Sequence, residues 1–194
     1  MRRASLLLFA IPLAMAAQSL TQSERDRAMS YLHATRKQFL DIVTTVSVEQ
    51  LRYKPAPNRW SIAEIAEHLT LVEDSVFQAA QAALQKPVSE PNPALDEKIQ
   101  QGGASRARRV NAPEGFVPTG RWTKAADLAG EFKSRRDRNI EFVQTTSADM
   151  RRHALPHPAL GPLDAYQWFL FAAAHADRHI QQMREVMADP QFPK

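Results

Sequence analysis

The stretch Ser61-Ile62-Ala63-Glu64-Ile65-Ala66-Glu67-His68-Leu69-Thr70-Leu71-Val72 decides the fold. Ser61 and Glu64 have the Ser-x-x-Glu spacing of a capping box, in which each side chain pairs a backbone N–H left open by the first helical turn. From there the apolar residues fall at Ile62, Ile65, Leu69, Val72, Val76, Ala79 and Ala83. Alternating threes and fours put them on one stripe of an α-helix, as in the seam of a bundle.

Three further segments carry this period. One covers residues 23–46, with Met29, Leu32, Phe39, Val43 and Val46 in register. Another opens near Thr123 as N-cap and continues through Leu128, Phe132, Ile140 and Val143. The last follows the helix-start signal Gly161-Pro162 and runs to Met187, before Asp189-Pro190 stops it. No segment alternates as a half-buried strand does. The expected class is all-α: a bundle of four helices of ~24 residues, each ~36 Å long.

Residues 86–121 differ in composition, holding Pro87, Pro91, Pro93, Pro113 and Pro118 with Gly102, Gly103, Gly115 and Gly120. A short helix is expected over 95–101. So long a connection reaches across a ~36 Å bundle, which lets the second and third helices run parallel.

The chain has 194 residues, 44% of them hydrophobic and 24% charged, which fits one globular domain. With no cysteine, it can hold no disulfide, thiolate metal ligand, cysteine nucleophile or acylated lipoprotein anchor. Met1-Arg2-Arg3, the apolar run Leu6-Leu7-Leu8-Phe9-Ala10-Ile11-Pro12-Leu13 and Ala14-Met15-Ala16 read as a secretory signal peptide cleaved after Ala16 or Ala17. The expected layout is residues 1–17 as signal peptide and 18–194 as the domain, exported to the periplasm or beyond with no stable membrane insertion after cleavage. Of 25 basic residues, Arg2 and Arg3 leave with the leader, so 23 face 21 acidic ones and the pI of 9.6 overstates the basicity. Arginines gather at Arg106, Arg108 and Arg109 and at Arg135, Arg136 and Arg138, but acidic residues interleave them. A solvated face is expected there, not a nucleic-acid footprint.

The fourth helix carries the chemistry. Its inward stripe reads Trp168, Ala172, His175, His179, Met183 and Val186, which places two histidines one turn apart in the seam. Buried imidazoles need partners, and a metal, a carboxylate or a water would serve. His68 falls between Ile65 and Val72 on the inward edge of the second helix. A third imidazole there would complete a three-histidine site with open positions, the arrangement of a catalytic metal. His175-Ala176-Asp177-Arg178-His179 lacks the glutamate of a zincin protease.

Four pieces of the chain carry a family resemblance. They are Asn58-Arg59-Trp60-Ser61-Ile62-Ala63-Glu64-Ile65-Ala66-Glu67-His68-Leu69, Ala112-Pro113-Glu114-Gly115-Phe116-Val117-Pro118-Thr119-Gly120, His157-Pro158-Ala159-Leu160-Gly161-Pro162-Leu163 and His175-Ala176-Asp177-Arg178-His179-Ile180-Gln181-Gln182-Met183. In this order they resemble the DinB-like superfamily, which includes YfiT-type metal-dependent hydrolases. The resemblance implies an up-down-down-up four-helix bundle. It also implies zinc or nickel held by His68, His175 and His179, with a low-molecular-weight thiol as co-substrate in some relatives. Gln182 matches the family pattern as a support for His179, and Glu64, one turn before His68, is a second candidate of that kind beside its capping role.

Weaker candidates are His157, and after it His153, at the site mouth. Arg36 in the apolar register is an anion binder or a snorkelling arginine, and Trp60 and Trp168 read as core anchors. The expected function is metal-dependent hydrolysis or thiol transfer on a small molecule. The alternative is a non-catalytic bundle that binds a metal or a partner, and an amphipathic bundle is compatible with a homodimer.

Overall fold

A computed structural model describes residues 19–107 and 111–194. The proposed signal peptide, Arg108 and Arg109 lie outside the described residues. Among the described residues, six α-helices and one β-hairpin follow in order: α1 (Gln22–Thr45), α2 (Val48–Arg52), α3 (Ile62–Leu84), α4 (Ala94–Ala104), α5 (Ala125–Thr145), β1 (Ala154–His157), β2 (Gly161–Asp164) and α6 (Ala165–Met187). The four long helices form the bundle. None of the described helices is long and apolar enough to cross a membrane.

Cross-helix pairs fix the directions. Arg25, at the start of α1, donates to Gln144 O near the end of α5 (3.0 Å), and Phe39 stacks on Phe132 at 3.8 Å, so α1 and α5 are antiparallel. Tyr166 Oη donates to Glu24 O (3.0 Å) and Arg184 to Gln38 Oε1 (2.7 Å), so α1 and α6 are parallel. Asp74 meets Arg135 (2.6 Å) and Phe77 meets Phe142 (5.6 Å between ring centres), so α3 and α5 are parallel too. Arg59 reaching Glu185 sets α3 against α6. The order is up-down-down-up, and residues 85–124 make the crossover that the parallel α3–α5 pair requires.

Local chemistry explains the boundaries. Capping boxes open α1 (Thr21 with Glu24), α2 (Ser47 with Gln50), α3 (Ser61 with Glu64) and α6 (Asp164 with Gln167). The expected cap at Thr123 is not used. Helix α5 begins after Lys124 with no side-chain cap. Gly161-Pro162 likewise starts no helix: it opens β2, pairing Gly161 with His157 and Pro162 with Pro156. This hairpin corrects the expectation of no strands. Its prolines hide the alternation, and Gly161 takes a left-handed φ of +77° that a side chain rarely adopts.

The core is two apolar clusters, one around Leu32, Val76, Ile140 and Phe169, the other around Phe39, Leu69, Phe132 and Ile180. A polar layer separates them. Arg136, fully buried, donates from Nε and Nη2 to the Glu73 carboxylate (2.8 and 2.6 Å) and from Nη1 to Thr35 Oγ1 (2.7 Å). Asn139 Nδ2 donates to the same carboxylate (2.8 Å). Arg136 therefore departs from the expected solvated face. It occupies the seam position between Phe132 and Ile140, where a bidentate partner makes a buried charge tolerable.

Candidate metal centre

Helices α3 and α6 bring His68, His175 and His179 together. Each offers a ring nitrogen, and the three lie within 4.8 Å of one another. His68 and His179 are buried, whereas His175 keeps partial solvent exposure. Ring centres are 5.1 Å apart for His68–His175, 4.7 Å for His68–His179 and 4.5 Å for His175–His179.

Neighbouring acceptors set two of the tautomers. His68 Nδ1 donates to Phe116 O (2.8 Å), and His179 Nδ1 donates to Gln182 Oε1 (2.8 Å). Each leaves Nε2 unprotonated, with its lone pair available. His68 Nε2 lies 3.4 Å from His175 Nε2. Two imidazoles on one tetrahedral zinc at ~2.0–2.1 Å would stand about 3.3 Å apart, so the spacing fits. His175 Nδ1 is buried with no partner. Converging lone pairs in a water-poor cluster are costly alone and are satisfied by a cation.

The protonation states suit the same reading. Burial holds His68 below the ordinary imidazole range, against the pull of the Phe116 carbonyl. Burial, then the neighbouring His179 and His68, keep His175 well below it. His179 is pushed down to about 3 by burial and by His68. All three are neutral at pH 7, the form that ligates metal. Among the described residues no carboxylate joins the cluster, so three imidazoles are its whole donor set.

The crossover supplies the support for His68 through a residue the sequence reading passed over. Glu67 is buried, and its carboxylate accepts from Thr119 N (2.9 Å), Thr119 Oγ1 (3.2 Å), Gly120 N (2.9 Å) and Arg121 N (3.1 Å). These bonds pin the 112–121 loop to α3 and set the Phe116 carbonyl over His68. A carboxylate beside an inward histidine was the only sequence signal.

The remaining candidates separate. Gln182 does hold His179. Glu64 does not reach His68: its oxygens accept from Ser61 N (2.7 Å) and Lys54 Nζ (2.9 Å), so the capping role stands alone. His157 on β1 is half-buried between Trp168 and Phe171 (5.3 and 4.7 Å), and Phe171 packs on His175 (5.4 Å). It sits one ring away from the triad. His153 bonds to Lys86 O (2.6 Å), outside the site. Arg36 pairs with Asp137 of α5. Trp168 is a core residue, but Trp60 walls the site at 5.0 Å from His68 and 6.4 Å from His179. A cleft of about 220 Å³ behind Glu67, lined by Arg52, Lys54, Gly120 and Trp122 among others, includes none of the histidines. The triad meets solvent on the side of His175.

Comparison with known proteins agrees with this architecture. YuaE of Bacillus subtilis (strain 168), an uncharacterised protein, is 26% identical over 159 residues, covering 81% of this chain and 96% of YuaE. YfiT from Bacillus subtilis, described as a probable metal-dependent hydrolase with an unusual four-helix bundle topology, superposes with a TM-score of 0.59 at 14% identity. That match covers 88% of this chain and 89% of YfiT. TT2238, a four-helix bundle protein, gives a TM-score of 0.51 at 20% identity, over 83% of this chain and 98% of TT2238. The DinB superfamily model matches residues 31–183, which span the bundle and all three histidines, and the chain belongs to the DinB superfamily.

Proposed function

We propose that this protein is a metal-dependent enzyme that uses water to cleave a small-molecule substrate. The observation that carries the reading is the convergence of three neutral imidazoles with no protein carboxylate among them. A divalent cation bound there supplies Lewis acidity, lowering the pKa of water or polarising a substrate oxygen. His68, His175 and His179 would hold it, with Phe116 O and Gln182 Oε1 fixing two of the rings. Trp60 and Phe171 flank the cluster and keep bulk water from two sides. The description of YfiT as a probable metal-dependent hydrolase supports the same chemistry. We also propose export, on the strength of the leader-like residues 1–17.

Elemental mass spectrometry on protein purified without a histidine tag tests the site. About one zinc or nickel per chain is expected, lost in His175→Ala/His179→Ala. A candidate esterase or amidase activity should vanish on chelation and return with metal. If the wild type retains no metal after divalent ions are added back, the enzyme reading falls and a non-catalytic bundle takes its place.

A further inference from the structure

His157 carries a hydrogen-bond donor that no described residue uses. It ends β1, and the turn after it folds back so that Ala159 N donates to the ring at Nδ1 (3.2 Å). A neutral imidazole that accepts at Nδ1 carries its proton on Nε2. Burial holds His157 below the ordinary imidazole range, so the neutral ring is the form present at pH 7. Its Nε2–H meets no acceptor among the described residues, and the ring is only half-buried, so the donor is open to solvent. Trp168 Nε1, an unused donor in the neighbouring ring, is buried away from solvent.

Phe171 places that donor relative to the triad. Its ring packs on His157 (4.7 Å between ring centres) and on His175 (5.4 Å), the histidine that keeps partial exposure. Phe171 and His175 lie one turn apart on α6, and both are partly exposed. His157, Phe171 and His175 therefore follow one another along a strip of rings that reaches solvent. Trp60 closes the other side of the triad, 5.0 Å from His68. These rings are uncharged, so the strip suits flat apolar matter, and the His157 N–H adds a directional contact at its end.

We propose that Phe171 and His157 form the specificity subsite of the enzyme. Phe171 carries a flat, uncharged aromatic group of the substrate, and His157 Nε2–H donates to an acceptor oxygen at the far end of that group. The assignment rests on the enzyme reading above. The substrate class that the strip fits is an aromatic ester or amide with a carbonyl oxygen opposite its scissile bond. An aliphatic chain in the same place would cover Phe171 but leave the His157 donor unpaired.

Calorimetric titration of zinc-loaded protein with three hydroxamates tests the subsite without turnover. Acetohydroxamate probes the metal alone, benzohydroxamate adds a ring, and para-carbamoylbenzohydroxamate adds an acceptor oxygen at the far end of that ring. The ring should tighten binding about 3–10-fold, and the carbamoyl oxygen about 3–10-fold again. Phe171→Ala should remove the first gain and His157→Phe the second. His157→Gln, which keeps an N–H donor, should recover part of the second. Each gain is a ratio of two affinities on one protein, so partial loss of folding cannot imitate its disappearance. Zinc-dependent binding of acetohydroxamate with no gain from the ring, or a carbamoyl gain that His157→Phe retains, overturns the subsite and leaves the enzyme reading standing. A wild type that takes up no zinc, or holds zinc that acetohydroxamate does not reach, removes the enzyme reading and the subsite with it.

Discussion

Burial of His179 should make the metal-free protein lose stability as pH falls below 6.5. His179 titrates near 6.5 in the unfolded chain and is pushed down to about 3 in the folded one, chiefly by burial. A depressed folded value means that the unfolded chain takes up the proton first. The stability contribution is complete above pH 6.5 and is lost as pH falls toward 3. At pH 5.0 the unfolded state gains RT ln(1 + 10^1.5), about 2 kcal/mol from His179 alone. His175 and His68 are shifted in the same direction and add to it. With a urea dependence of about 2 kcal/mol per molar, the His179 share moves the midpoint by about 1 M between pH 7.5 and 5.0. The assay is urea unfolding followed by circular dichroism at 222 nm after chelation, for wild type and His179→Leu. The variant should lose one proton from the slope, about 1.4 kcal/mol per pH unit near pH 5. A variant midpoint that falls with pH as steeply as the wild type's would refute a buried, neutral His179.

Three further outcomes follow from packing and hydrogen bonding. Gln182→Leu removes the acceptor that holds His179 and should weaken zinc about 10–100-fold in chelator competition, with helix content unchanged. Arg136→Met leaves the Glu73 carboxylate buried without its cation and should cost about 3–5 kcal/mol, lowering the thermal midpoint by about 6–20 °C. Adding Glu73→Leu to that variant should recover most of the loss. Gly103→Ala would set a methyl 2.8 Å from Ala174 Cβ where α4 crosses α6, costing about 1–3 kcal/mol in chemical denaturation, and Ala174→Gly in the same chain should relieve it.

The bundle was legible because its helices advertise themselves twice, by stripe and by cap. Ile62, Ile65, Leu69, Val72 and Val76 mark the inward face of α3, and Ser61 with Glu64 marks its first turn. His68, His175 and His179 were legible for the same reason, since each sits in an apolar register where an unpartnered imidazole is out of place. The hairpin was not, because Pro156 and Pro162 break the pattern by which strands are read. Arg136 was misread because a run of arginines looks solvated, although its place four after Phe132 and four before Ile140 already put it in the seam. Glu67 was passed over because its partners are the backbone N–H groups of a distant loop, which no periodicity encodes.

The up-down-down-up order also bears on how the chain reaches this state. In a simple up-and-down bundle, each helix packs on the one made just before it, and local hairpins assemble early. Here α1 and α3 lie diagonally opposite and scarcely touch, and so do α5 and α6. The packed pairs join residues as far apart as Glu24 and Tyr166, or His68 and His175. High contact order of this kind slows folding, because long loops must close before any contact rewards them. No fragment ending before α6 contains a complete core, so refolding should be one slow, concerted event relative to other helical domains. The histidine cluster is then a late product of that event, and a metal that needs all three rings is captured by the nearly native chain.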